Sequence, residues 1–281
     1  MKKRDYLLKL WIFISGMLVI SITLGIFIYI LCKGFNVISV DFILNSPKGS
    51  PLGTEGGIFP AIIGSLLMGL LSGIIGGFLG ISISIYLVFY CTSIKFKNII
   101  LSFLYGLSGV PSIVLGLVGY TILICKFGME RGLLCASITL AVMIIPFISI
   151  RIIKLLMDGG EDIMKSSLCL GVSKSYTLFR IILPNIMINI LTCITLGMAY
   201  AMGATAPIMY TGAVIYSGLP SEINSPVMAL PYHLYILVNE GLSLENAYGT
   251  AFVLMVLLLI INGLCRLIGI WREGASWKRM F

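Results

Sequence analysis

Residues 165–184 read KSSLCLGVSKSYTLFRIILP, and this stretch decides how the chain is organised. It carries Lys165, Lys174 and Arg180 among serines and a threonine, and it ends on Leu183-Pro184. Long apolar runs flank it, at about 133–156 before it and about 184–207 after it. Each approaches or exceeds the ~20 apolar residues that cross a bilayer as a helix. A polar segment between two such runs reads as a loop at one membrane face.

Working outward, the same pattern repeats. Six spans are expected, at about 10–32, 59–90, 99–125, 133–156, 184–207 and 247–270. Gly76-Gly77 falls inside the second, Pro111 interrupts the third, and Pro146 lies inside the fourth. The runs are too long for barrel strands and do not alternate, which leaves helices as the spanning elements. Hydrophobic residues make up 59% of the 281-residue chain and charged ones 11%, more apolar surface than a soluble interior can hide. The mean hydropathy is +1.08. The fold class is therefore all-α, a polytopic membrane protein of six transmembrane helices. The first run follows MKKRDYLLK without a small-x-small cleavage site and is too long for a signal core, so it reads as an anchor. Residues 1–57 form that anchor and an outer loop, and 58–281 form a core that includes the loop 154–184.

Orientation follows from the basic residues. With the N-terminus inside, the cytoplasmic side receives Lys2, Lys3, Arg4, Lys9, Lys95, Lys97, Arg151, Lys154, Lys165, Lys174, Arg180, Arg266, Arg272, Lys278 and Arg279. The outer side keeps Lys33, Lys48, Lys126 and Arg131. This asymmetry places both termini and the loop 154–184 in the cytoplasm. The net charge of +8 is not a nucleic-acid signal, because it is spread over short loops rather than gathered on one face. The seven cysteines are widely spaced with no CxxC, and His233 alone cannot build a metal cluster.

A loop of this length usually has a task or is disordered. This one is not low-complexity. Leu168, Leu170, Val172, Tyr176, Phe179 and Ile182 follow the spacing of an amphipathic helix interrupted at Gly171. A short helix, a glycine turn and a second helix are expected. Such an element either lies flat on the membrane or docks into a partner's groove, and the pattern prefers neither.

The spacing here resembles the cytoplasmic loop of ABC-importer permeases: Glu-Ala-Ala, three residues, Gly, nine residues, then Ile-x-Leu-Pro. Gly171 is followed by nine residues and then Ile181-Ile182-Leu183-Pro184, while Lys165-Ser166-Ser167 occupy the Glu-Ala-Ala positions. The stretches GLSGVPSIVLGLVGY (106–120), GATAPIMYTGA (203–213) and PVMALPYHLYIL (226–237) resemble the permeases of phosphate importers. The resemblance covers the chain from about Gly57 onward. It implies the type I ABC importer permease fold, with Lys165, Ser166, Ser167, Gly171, Ile181, Leu183 and Pro184 in the loop that couples to a cytoplasmic ATPase. It also implies a related second permease, two ATPase subunits and an extracellular phosphate-binding protein.

One departure stands out. The family's fifth span reads Ala-Arg-Ala-x-Gly-Glu-Thr-Ala-Pro; here Tyr200 replaces the arginine and Ala204 the glutamate. Losing a compensating pair is cheaper than losing one partner. Either the second permease carries the polar work or the anion is not phosphate.

Candidate residues for the path are Tyr200, Gly203, Thr205 and Pro207 in the fifth span, with Ser108, Pro111 and Ser112 at the break in the third. Tyr200 can donate to an oxyanion, and glycines near Pro111 can expose backbone N–H groups, as broken helices do for anions. Each also has a plainer reading as helix packing or a helix end. His233 lies in a polar outer loop with Pro231 and Tyr232, either touching a binding protein or as a plain loop histidine. The chain has no GxxxxGK[ST] phosphate loop, so ATP and magnesium belong to a partner and no cofactor or metal is expected here. The alternatives are an intramembrane enzyme and a self-sufficient channel or secondary transporter; an enzyme or an ion-coupled carrier would want paired ionisable groups inside its spans, and the span interiors show none.

Overall fold

The computed structural model describes residues 2–51 and 53–277. Lys278 and Arg279, counted above toward orientation, lie outside the described residues. Helix α1 spans Lys2–Phe35, followed by the short α2 (Val40–Leu44) and a two-stranded antiparallel ribbon, β1 (Pro47–Lys48) with β2 (Glu55–Gly56). Then come α3 (Phe59–Ile85), α4 (Ile94–Ser108), α5 (Ser112–Gly119), α6 (Leu133–Cys169), α7 (Lys174–Tyr176) and α8 (Leu183–Met202). Helices α9 (Ala206–Thr211), α10 (Leu230–Asn239) and α11 (Leu244–Trp277) close the chain. Wider π-helical turns extend α3 over Tyr86–Tyr90 and α5 over Tyr120–Lys126, and another joins α7 to α8 over Thr177–Ile182.

Among the described residues five helices are long and apolar enough to cross a membrane. A sixth span results if the pair Ile94–Ser108 and Ser112–Lys126 counts as one. The expected third span, 99–125, is thus not a single interrupted rod: its halves meet at 102°. Pro111 has no N–H and takes an extended ψ of 137°, while Gly109 and Val110 turn their N–H groups back to Gly106 and Leu107.

The segment between the fourth and fifth spans is a helix, a glycine turn and a second helix, as expected, but its first helix is not separate: it continues the fourth span. Helix α6 runs for 37 residues, ~55 Å of rise against a hydrocarbon core of ~30 Å. It carries on through Asp158, Glu161 and Asp162 to Cys169, so the chain reverses only over Leu170–Ser173. Pro184 does not break the returning helix. It lacks the N–H that the Arg180 carbonyl would accept, and the π turn immediately before it absorbs the mismatch.

The core sits between α6 and α3. Ile144, Ile148, Ile152 and Leu156 recur every fourth residue on α6 and are fully buried. They meet a face of α3 stripped of side chains. A Cβ at Gly76 would lie 2.8 Å from Ile144 Cγ1, one at Gly80 would lie 2.9 Å from Ile148 Cγ2, and one at Gly73 would run into Met198 of α8. In lipid no hydrophobic force draws helices together, so this close approach and its dispersion contacts hold the bundle. Ser84 Oγ adds a link across it, donating to the Gly80 and Ser149 carbonyls at 2.6 and 3.1 Å. At the far end of the bundle from Gly171, Ser65 Oγ accepts the Leu230 N–H at 2.8 Å and fixes the start of α10.

Candidate functional site

The turn between α6 and α7 is built by one glycine. Gly171 has φ +79°, in the left-handed region that a side chain disfavours. Its N–H bonds to the Leu168 carbonyl and the Val172 N–H to the Ser167 carbonyl, both at 3.0 Å, which is the paired closure of a Schellman motif. Ser173 then caps the returning helix, accepting the Tyr176 N–H at 3.4 Å. The result is a rigid helical hairpin at one end of the bundle.

One face of this hairpin is packed and the other bare. Met164, Thr177, Leu178 and Ile182 are buried, and Gly160 lets Phe89 and Ile182 approach α6. Lys174 Nζ lies 4.9 Å from the Tyr90 ring centroid, tying the hairpin to the end of α3. Leu170 (82% exposed), Phe179 (62%), Leu168 and Tyr176 point away from the bundle. Of the residues assigned to the coupling loop, Lys165, Ser166, Gly171, Ile181 and Pro184 are exposed, Leu183 is half-buried and Ser167 is buried. Lys165 pairs along its own helix with Glu161 and Asp162, each at 3.9 Å.

The residues proposed for the path scatter more. A cleft of about 310 Å³ opens between α4, α5, α6 and α8, lined by Tyr105, Leu107, Ser108, Val110, Leu115, Met143, Pro146, Phe147, Ile150, Arg151 and Tyr200. Ser108 and Tyr200 come together here; Gly203, Thr205, Pro207, Pro111 and Ser112 do not line it. Pro207 is buried against α5, where a Cβ at Gly116 would stand 2.8 Å from its Cα. The Ser108 hydroxyl donates to the Tyr105 carbonyl at 2.7 Å, leaving only its lone pairs for the cleft. Tyr200 is 53% exposed and stacks on Phe147, ring centroids 5.8 Å apart.

Sequence reasoning missed Arg151. It was assigned to the inner surface although it stands within the apolar run 133–156. Its Cζ lies 4.0 Å from the Phe147 ring centroid, so the guanidinium belongs to the cleft wall. An ionisable residue inside a span was the signal that could have found it. His233 is corrected too: it is buried in α10, edge-on to Tyr216 at 6.5 Å, and not available to a binding protein. Pro231, in the first turn, opens α10 where a loop was expected. Burial lowers the His233 pKa from 6.5 to about 4, so the ring is neutral at pH 7.

Residues 80–268 match the family model described as the binding-protein-dependent transport system inner membrane component. The chain belongs to this family. It is thus an inner membrane component of the binding-protein-dependent transport type, with several helices apolar and long enough to span a membrane and the fold of ABC importer permeases. Among its relatives is the phosphate transport system permease protein PstA 2 of Mycobacterium bovis, 32% identical over 174 residues, 61% of this chain and 58% of that one. The probable phosphate transport system permease protein PstA of Methanocaldococcus jannaschii is 27% identical over 154 residues, 54% of each chain. This inner membrane component therefore spans a little over half the length of the first relatives it matches. The probable ABC transporter permease protein YqgI of Bacillus subtilis aligns over 90% of both chains at 24% identity. In fold the chain is similar to a permease chain of a bacterial alginate ABC transporter, with TM-score 0.64 at 15% identity, covering 94% of this chain and 93% of that one. It is also similar to the inward-facing MetNI methionine ABC transporter, with TM-score 0.61 at 16% identity, covering 74% and 92%.

Proposed function

We propose that this chain is the permease subunit of an ATP-driven importer of inorganic phosphate. It supplies half of the translocation path and pairs with a related second permease. Two ATPase subunits dock on the cytoplasmic side of the permease pair, and an extracellular phosphate-binding protein delivers the anion. The observation that carries the reading is the hairpin closed at Gly171, a rigid knob with Leu170, Tyr176 and Phe179 bare at its tip. Aromatic and apolar side chains on a rigid element are what a partner's groove selects. Phosphate is supported by the names of the M. bovis and M. jannaschii relatives. The hairpin end is cytoplasmic in this reading, as are both termini, and this chain binds neither ATP nor magnesium itself.

A second reading, a permease for another oxyanion, is favoured by Tyr200 and Ala204 at positions where the phosphate family has a charge pair. The test is reconstitution in proteoliposomes. With the second permease, ATPases and binding protein present, phosphate should accumulate only when ATP is supplied. Uptake of sulfate or another oxyanion in its place would select the second reading. Phosphate accumulation by the isolated chain would refute both.

A further inference from the structure

Arg151 is out of place for a residue that only marks the inner side of a membrane. It stands ~27 Å of helix rise after Leu133, near the far edge of the apolar part of α6. A basic side chain there ordinarily extends toward the nearer polar boundary. Arg151 instead turns back one helical turn and lies on Phe147, whose other neighbour in the stack is Tyr200.

Among the described residues no carboxylate lies within ion-pair distance of it. Both ion pairs found among the described residues belong to Lys165. A second cleft, of about 350 Å³, lies on the Gly171 side of the first and is lined in part by Lys154, Asp158, Asn189 and Thr192. Arg151 is common to the linings of both clefts. Both clefts are open to the exterior and lined mainly by apolar atoms, which makes the guanidinium shared between them the conspicuous polar group. A guanidinium held by one face on an aromatic ring keeps its edge N–H donors free, in the planar fork that matches an oxyanion. Tyr200 adds a phenol on the first side; Lys154 adds a cation on the second, with Asp158 one turn further along α6 to oppose a lingering anion.

We infer that Arg151 is the anion-coordinating residue of the path. The oxyanion enters beside Tyr200, is gripped by the Arg151 fork, and leaves toward Lys154 and Asn189. Helix α6 thus supplies a cation to the cleft that Tyr200 also lines. This inference rests on the reading that the chain conducts an oxyanion.

The test uses the full complex, with the native cysteines replaced, in proteoliposomes loaded with ATP and supplied with labelled phosphate. Arg151→Gln should lower uptake about tenfold to a hundredfold, the loss of a charge-assisted hydrogen-bonding group. ATP hydrolysis stimulated by the binding protein should persist, since the hairpin is untouched. Arg151→Lys should keep part of the rate and raise KM, a point charge in place of a fork. Arg151→Cys gives a readout that a merely structural role would not move. Uptake should return after a cationic aminoethyl methanethiosulfonate and stay low after a neutral methyl one. Equal recovery with both reagents, or wild-type uptake by Arg151→Gln, overturns the inference while leaving the proposed function standing. A wild-type complex that moves no oxyanion overturns the proposed function, and this inference with it.

Discussion

Replacing Gly171 tests the hairpin with little else disturbed. A Cβ built there meets no atom within 4 Å, so the substitution introduces no clash. The cost is conformational: a non-glycine residue at φ +79° pays ~1–2 kcal/mol, and a β-branched one pays toward the upper end or beyond. Each ~1.4 kcal/mol shifts the balance between the closed Schellman turn and an opened one about tenfold. Gly171→Val should therefore leave the chain inserted and paired with its partner permease, while ATPase capture falls and hydrolysis becomes uncoupled from uptake. Gly171→Asn should retain most of the coupling, because asparagine tolerates the left-handed region. Anion selectivity should not move, since no cleft residue changes. The assay is ATPase pull-down with uptake and hydrolysis rates for both variants in the full complex. Normal coupling in Gly171→Val at wild-type expression, or equal loss in both variants, would refute the argument from backbone conformation.

Three further outcomes follow from particular contacts. His233 takes up its proton near pH 6.5 in the unfolded chain and near 4 in the folded one, so stability should fall as pH drops through that window. The loss should reach about 2 kcal/mol at pH 5, and His233→Gln should flatten the slope in thermal scans; an unchanged slope would show that other groups set it. Gly73→Val should impair assembly through collision with Met198, whereas Gly106→Ala, with nothing within 4 Å, should express normally; the opposite ranking in detergent gel filtration would break the packing account. Cysteine probes at the exposed Ser173 and Ser221 should label from the cytoplasm and the outside respectively, and reversed sidedness at either would overturn the proposed orientation.

The spans were legible because crossing a bilayer demands runs of apolar residues, and such runs survive in one dimension. The break near Pro111 was legible in position but not in angle. Proline and glycine announce that a helix ends, while the 102° bend depends on what the second half packs against, here Pro207 across Gly116. In the 154–184 segment the helix, glycine turn and helix were legible, but the continuity of the first helix with the fourth span was not. Hydropathy falls after Leu156, yet helical hydrogen bonds are indifferent to whether the surroundings are lipid or water. Asp158, Glu161, Asp162 and Lys165 are serviceable in a solvated helix, and α6 simply continues until Gly171 closes it.

The cleft was the hardest part to see, for a geometric reason. Tyr200 and Ala204 stand where the resemblance leads one to expect a charge pair, and a sequence speaks only for its own position. Phe147 and Arg151 lie about fifty residues earlier on an antiparallel helix, and only the bundle brings them onto Tyr200. A basic residue near the end of a span is normally read as an inner-surface charge, because its side chain can reach either boundary and sequence says nothing of its direction. The stack on Phe147 supplies that direction. If the fork of Arg151 grips the anion, α6 supplies the cation of the path and none is needed at position 200. The partner permease then need not carry both charges.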